Sequence, residues 1–472
     1  MKLYEKAAQQ LEEQIQKGVY RPGDKLPSVR HLSRQLKVSI STVLQAYTRL
    51  EDLGIIKARP QSGFYVQLKQ RPTPAAPAIS RPRVTPTRVN TIDLALEVLH
   101  ATNRRGLAQF GTAVPGLDFP ALNNLHRLFS SITRRWPRRV AAYEFPPGSP
   151  ELRRQIARRS VDSGLSLSPD DMIITNGCQE ALMLAIRVVA KPGDIIAVES
   201  PGYYGALQNI QTLGMKALEI PTDPSTGISL EALSLALEQW PIKACVLTPQ
   251  LSNPLGHRMP DKNKIAVLEL LRKHDISLIE DDINGELIYG EQRNRAIKSW
   301  DEDGRVILCS SFSKTLEPGL RVGWIVPGRY LRDVEHLKVV TSMATATLPQ
   351  LAVAEFLEAG GYDRHLRQVR NAYRQRRDQL LQLISRHFPE NVKATCPDGG
   401  FLSWIELPEG VDSMALLSRA LDENISLAPG PLFSAKGKYQ NFMRLNFGTA
   451  WDQEREQGIQ VLGELVEDML NR

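Results

Sequence analysis

Apolar residues recur at helical spacing from the start of the chain. Tyr4, Ala7, Ala8, Leu11 and Ile15 fall on one face and predict a first helix. Pro22-Gly23 breaks the pattern, and Ser28 then precedes a second helical stretch marked by Leu32 and Leu36. Val38-Ser39 makes a short break. Val43, Ala46, Tyr47, Leu50 and Leu53 predict a third helix, and Gly54 stops it. Two short strands follow, Ile55–Arg59 and Phe64–Val66, around a turn at Gln61-Ser62-Gly63. The apolar pattern then lapses: Pro72, Pro74, Pro77, Pro82 and Pro86 favour extended, semi-rigid chain. From about residue 91 short β-branched runs alternate with helical stretches. The runs are Met172–Thr175, Ile195–Glu199, Cys245–Thr248, Ser277–Asp281, Val306–Ser310 and Trp324–Val326. Such alternation predicts βαβ crossovers and a largely parallel, buried sheet.

The pattern divides the chain of 472 residues into a small helical module with a hairpin (1–68), a Pro/Arg-rich linker (69–95) and a large α/β domain (96–472). The large domain is expected to hold a main part at about 131–345 and a smaller C-terminal α+β part at about 346–472. Charge sharpens this division. Residues 1–68 hold 11 basic and 6 acidic side chains, and residues 69–90 add five basic and no acidic ones, a net +10. The whole chain is +7, which leaves −3 for the rest. A basic front end on a mildly acidic body points to a polyanionic partner for the front end alone.

No apolar run is long enough to cross a bilayer, and Met1–Lys6 is charged where a signal peptide needs an apolar stretch. The expectation is a cytoplasmic protein without membrane contact. Cys178, Cys245, Cys309 and Cys396 lie far apart, with neither metal-ligand nor redox spacing. The histidines are scattered, so no metal site is expected.

Two helices joined by a tight turn and followed by a hairpin describe a winged helix-turn-helix, whose second helix enters the major groove of DNA. Ser39, Ser41, Thr42 and Gln45, at the start of that helix, carry short polar groups suited to phosphates or base edges. Arg30, Arg34, Lys57 and Arg59 supply phosphate neutralisation. The same architecture also serves protein contacts in other chains. The run Arg21-Pro22-Gly23-Asp24-Lys25-Leu26-Pro27-Ser28-Val29-Arg30, then Val38-Ser39, Thr42-Val43, Ala46-Tyr47 and Leu50-Glu51-Asp52-Leu53-Gly54, resembles the GntR class of bacterial regulators over nearly all of residues 1–68. The resemblance implies DNA contacts at Arg30 and at Gly63 in the wing. The family often carries an arginine where Ile40 stands here.

In the large domain, polar clusters fall at the carboxyl ends of the expected strands, where ligands bind in open α/β sheets. Lys314, in Ser311-Phe312-Ser313-Lys314, follows one such end, and Arg321 lies seven residues on. A lysine amine there can form a Schiff base with an aldehyde cofactor, with Ser311, Ser313 and Arg321 suited to its phosphate. Taken alone, the run equally fits a surface lysine in a polar loop. Asn176-Gly177-Cys178-Gln179 opens a helix whose free N–H groups suit a phosphate. Asp281 can hold a pyridine nitrogen protonated, and Tyr203 can stack on the ring. Asn253 can bond a phenolic oxygen, and Arg444 can grip a carboxylate through two parallel hydrogen bonds.

This set, in this order, resembles the fold-type I aminotransferases across about residues 110–450. The resemblance implies pyridoxal 5'-phosphate as cofactor, with Gly177, Cys178, Gln179, Tyr203, Asn253, Asp281, Ser311, Ser313, Lys314 and Arg321 around it. It also implies a homodimer in which Tyr143 reaches the partner's phosphate. Relatives place a tyrosine shortly after the aspartate, where Ile283 and Asn284 stand here. The GntR-like head, basic linker and aminotransferase-like body together resemble the MocR group of regulators. Two functions follow. One is a transcription regulator of duplex DNA whose body senses an amino acid or amine effector through the cofactor. The other is a working aminotransferase that carries a DNA-binding domain. A complete reading helix and wing favour the first.

Overall fold

The computed structural model describes all residues except 1–2, 17–18, 21–22, 53–54, 60–61, 67–72, 83, 102–105, 291–292 and 472. The expected break at Pro22, the stop at Leu53-Gly54, the turn residue Gln61 and the linker residues Lys69, Arg71, Pro72 and Arg83 therefore lie outside the described residues. The chain forms two units, Met1–Thr73 and Pro74–Arg472.

In the first unit, the three apolar stripes become helices α1 (Leu3–Gln16), α2 (Val29–Leu36) and α3 (Ile40–Asp52). Their apolar faces meet in one cluster that includes Leu11, Leu32, Val43, Ala46 and Leu50. Tyr47 is fully buried there, and its hydroxyl donates to the Pro27 carbonyl at 2.6 Å, so the phenol keeps a partner inside the core. Ser28 caps α2 by accepting from the His31 N–H, and Lys37 ends that helix at a left-handed φ of +52°. The Ser33 hydroxyl donates across the turn to the Val38 carbonyl at 2.6 Å. Strands β1 (Ile56–Arg59) and β2 (Gly63–Val66) form the antiparallel hairpin, with Ile56 opposite Val66.

In the second unit, among the described residues, the main sheet has nine strands. From one edge it runs Thr87–Arg88, Lys216–Asp223, Ile195–Ser200, Ile242–Leu247, Ser277–Asp281, Val306–Ser311, Gly323–Val326 and Ile173–Thr175, with Gly227–Ile228 attached to Lys216–Asp223. The interior strands from Lys216–Asp223 to Val306–Ser311 are parallel; Gly323–Val326 runs against both neighbours. Ile195–Ser200 and Val306–Ser311 are buried at every position, which is why each opens on an unbroken apolar run, residues 195–198 and 306–309, before its polar end.

The strand Lys216–Asp223 was not expected, because Glu219 and Pro221 interrupt its apolar pattern. Glu219 is nonetheless buried, and its carboxylate accepts from the Ser200 hydroxyl at 3.0 Å and the Ala435 N–H at 3.2 Å. A second, antiparallel sheet orders Lys393–Ala394, Leu402–Glu406, Phe442–Asn446 and Ala428–Pro429. Ala108–Gln109 pairs with Ile425–Ser426, which ties the start of this unit to its C-terminal part.

The expected linker is divided. Its described residues from 74 onward are built into the second unit. Ala75 accepts from the Ala394 N–H, Ala78 donates to Glu406, and the Ser80 hydroxyl donates to the Ser200 carbonyl. The Ala75 carbonyl and the Ala78 N–H thus find partners along the body.

Candidate cofactor pocket and DNA-binding face

The carboxyl ends of the parallel strands open into a cavity of about 420 Å³. Of the residues expected to bind cofactor, Cys178, Gln179, Tyr203, Asn253, Asp281, Ser313, Lys314 and Arg321 line it. Gly177 caps the helix Cys178–Val189 at their edge, and Ser311 lies behind them with its hydroxyl accepting from the Ser313 N–H. Tyr143 stands apart on the surface, 70% exposed.

Lys314 sits three residues past the end of Val306–Ser311. Its amine donates to the Ala113 carbonyl at 2.6 Å. Burial and the nearby Arg444 push that amine down to about 8, against the pull of Asp281. Asp281 ends its strand fully inside the protein, and burial pushes its carboxyl up to about 6. The Ile283 N–H at 3.1 Å and the Cys178 thiol at 3.4 Å donate to one of its oxygens and oppose that rise. A cationic partner on the cavity side would restore Asp281 to full ionisation.

The opposite end of the cavity carries the Arg321 guanidinium and the N-terminus of the helix Cys178–Val189. Gly177 adopts φ +84°, and a Cβ there would collide with the Arg321 guanidinium. The Arg321 side chain donates to the Asn176 carbonyl at 2.7 Å and to the Ser313 hydroxyl at 3.5 Å. Behind this turn lies a network absent from the sequence reading. Glu180 accepts from the Asn176 N–H at 2.6 Å and from Lys338 at 2.7 Å, and Lys338 also donates to Ser342 and Thr345. It holds the turn that presents the helix N-terminus.

On the remaining wall, the Tyr203 hydroxyl bonds Gln179 at 3.3 Å, and Gln179 donates to Asn209. Asn253 accepts from Arg444 at 3.0 Å; the second Arg444 nitrogen donates to the Gly111 carbonyl. Arg444 is fully buried, and its Nε–H finds no partner among the described residues. Thr112, Ala113 and Val114 complete the wall. Their segment is latched from the neighbouring strand by Asn446, whose amide donates to the Thr112 and Val114 carbonyls at 2.7 Å each. Sequence reasoning missed this segment because it contributes backbone carbonyls, and only Gly111 and Pro115-Gly116 mark it as a loop. Ile283 and Asn284 also line the cavity, where the resembling family places its tyrosine.

These residues fit pyridoxal phosphate: a lysine amine freed by burial, a buried carboxylate for a ring nitrogen, and a cradle that only glycine can floor.

On the head, Ser39, Ser41 and Gln45 are exposed at the start of α3, and Thr42 is half-buried. The Ser39 hydroxyl bonds those of Ser41 at 2.8 Å and Thr42 at 2.7 Å. Arg30, Arg34, Lys57 and Arg59 are all exposed, and Arg59 lies over the Tyr65 ring at 4.3 Å. Gly63 opens β2 at φ +107°.

Comparison with known proteins matches residues 133–462 to the aminotransferase class I and II family and residues 3–66 to the gntR family of bacterial regulatory proteins. The chain is 44% identical over 466 residues to the uncharacterized HTH-type transcriptional regulator YjiR of Escherichia coli, covering 99% of each. It is 38% identical to YdcR of the same organism, another uncharacterized HTH-type transcriptional regulator, over 100% of each. Among solved structures, LysN, the alpha-aminoadipate aminotransferase of Thermus thermophilus complexed with N-(5'-phosphopyridoxyl)-L-leucine, superposes with a TM-score of 0.74 at 29% identity. It covers 82% of this chain and 96% of its own. Among the described residues, no helix is long and apolar enough to cross a membrane. With both architectures joined in one chain and matched end to end, this protein belongs to the MocR group, gntR-family regulators fused to a class I and II aminotransferase domain.

Proposed function

We propose that the chain is a pyridoxal-phosphate-binding, sequence-specific DNA-binding transcription regulator, whose body senses an amino acid or amine effector and forms the dimer. The observation that carries this reading is the pairing, in one chain, of an exposed α3 start with a complete cofactor cavity around Lys314. We assign residues 1–68 to DNA and residues 96–472 to cofactor and effector; of the stretch between them, the part from Pro74 onward goes with the body.

Lys314 attaches the cofactor, Asp281 faces its ring nitrogen, Tyr203 its ring, and Asn253 its phenolic oxygen. Gly177, Cys178, Gln179, Ser311, Ser313 and Arg321 surround its phosphate end, and Arg444 takes the effector carboxylate. When bound, the cofactor supplies an aldehyde that condenses reversibly with amines and a ring that withdraws electrons. Sensing needs only a ligand that favours one arrangement of the protein over another, without turnover. The test is rapid-mixing absorbance with a panel of amino acids, followed by keto-acid assay. A spectral change without product, coupled to altered DNA affinity, supports the sensor. Many equivalents of keto acid would make the body an enzyme.

DNA binding through the head carries its own prediction. Affinity falls steeply with salt, because neutralised phosphates release counterions. Arg30→Ala weakens binding to every duplex alike and lowers the salt slope by about one ion, whereas Thr42→Ala changes which duplex is preferred. Footprinting on upstream genomic DNA that finds only non-specific binding contradicts the assignment.

The body should form a homodimer. Tyr143 is 70% exposed and stacks beside Phe145, itself 56% exposed, with ring centroids 5.5 Å apart. The Thr347 hydroxyl ties this segment, through the Ala142 carbonyl, to the stretch that follows the exposed Val340 and Met343. So much exposed apolar surface in one region marks an interaction face. Sedimentation at micromolar concentration should give a dimer, and Tyr143→Phe should loosen cofactor retention without dissociating it. A cofactor-loaded monomer excludes this role for Tyr143.

A further inference from the structure

Helix α3 turns two large apolar side chains away from the core. Val43, Ala46, Tyr47 and Leu50 are fully buried, whereas Ile40 is 50% exposed and Leu44 45% exposed. Four residues apart, Ile40 and Leu44 are neighbours on one helix face. The exposed strip they share with Ser41, Gln45 and Thr48 carries no charge. The exposed charges of α3 lie toward its C-terminal end, on Arg49 and Glu51, and the exposed cations Arg30, Arg34, Lys37, Lys57 and Arg59 stand on or beside α2 and β1, which pack against it. This distribution suits a duplex: cations where the phosphates run, and an uncharged strip toward the base edges.

The strip lacks the arginine or lysine that pairs with guanine O6 and N7. The hydroxyls of Ser41 and of the half-buried Thr42 both bond that of Ser39. The major groove offers one apolar group on its base edges, the C5-methyl of thymine. Exposed isoleucine and leucine at base-reading positions have no other complement there. Gln45, between them, suits the adenine N6 and N7 edge, which again selects A·T pairs.

We propose that Ile40 and Leu44 set the operator preference by packing on thymine C5-methyl groups in the major groove. This rests on the reading of the head as a sequence-specific DNA binder. It gives Ile40, where the family often has arginine, a positive role in recognition.

The test uses the full-length protein and a duplex selected from a random-sequence library. Each thymine of the selected site is replaced singly by deoxyuridine, which removes the methyl group and keeps every hydrogen bond. Affinity should fall about three- to fivefold at one or more thymines of the selected site, the effect of losing one buried methyl. The loss at a given thymine should vanish in Ile40→Ala or Leu44→Ala, both at exposed positions where the fold does not depend on them. Ile40→Arg should shift the selected site toward guanine. Specific binding that is indifferent to deoxyuridine at every thymine overturns the methyl contact and leaves the DNA-binding reading intact. Selection that yields no preferred sequence overturns both.

Discussion

Replacing Lys314 by alanine abolishes covalent attachment of the cofactor. In the unsubstituted protein, borohydride reduction and peptide mapping should place a pyridoxyl group on Lys314, and the purified protein should be yellow. In Lys314→Ala neither should remain. The ground is the contrast between the half-buried Lys314 and two fully buried lysines, Lys338 and Lys264. Lys338 is committed to Glu180, and Lys264 donates to Asp261 and to the Arg295 carbonyl. Burial lowers both amines, but each keeps an acidic partner that holds its proton. Lys314 faces the cavity and donates to a neutral carbonyl, and burial with the Arg444 charge brings it down to about 8. Only the unprotonated amine attacks an aldehyde. Attachment to the cofactor-free protein should therefore be fast above pH 8 and slow about tenfold for each unit below it. The same shift acts on stability. The folded lysine releases its proton earlier than an unfolded one, so this group makes the cofactor-free protein more stable as pH rises from about 8 toward 10.5. A pyridoxyl group found on Lys338 or Lys264, or an attachment rate flat from pH 6 to 9, contradicts the assignment.

The strands that carry the site were legible because parallel strands are buried on both faces and open on continuous apolar runs, as in residues 195–198 and 306–309. Their ends were legible too, since Asp281, Lys314 and Gly177 interrupt such runs with the residue types that a charged ligand requires. The strand Lys216–Asp223 was not, because Glu219 reads as polar and sequence cannot show that it lies buried against the Ser200 hydroxyl and the Ala435 N–H. The Thr112–Val114 wall was hidden for a different reason. Its contribution is backbone carbonyls held by Asn446, 332 residues away from Val114 in sequence, and periodicity carries no trace of such a contact. The Lys338–Glu180 brace beneath the Arg321 end of the cavity was invisible likewise, since each partner alone looks like a solvated helix charge. The proline-rich stretch after residue 73 was read as a linker, because composition could not show that Ala75, Ala78 and Ser80 have partners on the body.

Substitution at Arg444 should separate amino acids from plain amines. The guanidinium is fully buried behind the cavity-lining Asn253, bonded to that side chain and to the Gly111 carbonyl, with its Nε–H left without a partner among the described residues. A buried donor that stays unpaired is costly, and a ligand carboxylate would relieve that cost. The Arg444→Ala variant also strands the Asn253 and Gly111 oxygens, so its effect mixes recognition with local loosening. Arg444→Lys is the cleaner probe, because it keeps the charge and loses the planar fork. Loss of one partner of a buried charge-assisted pair costs about 2–5 kcal/mol, or roughly thirty- to several-thousand-fold in affinity. Spectral titration of Arg444→Lys with an amino acid should show a weakening toward the lower end of that range, and Arg444→Ala toward the upper end. Titration with an alkylamine of matched side chain should change little in Arg444→Lys, because it offers no carboxylate to grip. If Arg444→Lys binds amino acid and amine with the parent's ratio of affinities, the carboxylate is held elsewhere. The unpaired Nε–H would then belong to the scaffold that links the Gly111 loop to the strand Phe442–Asn446.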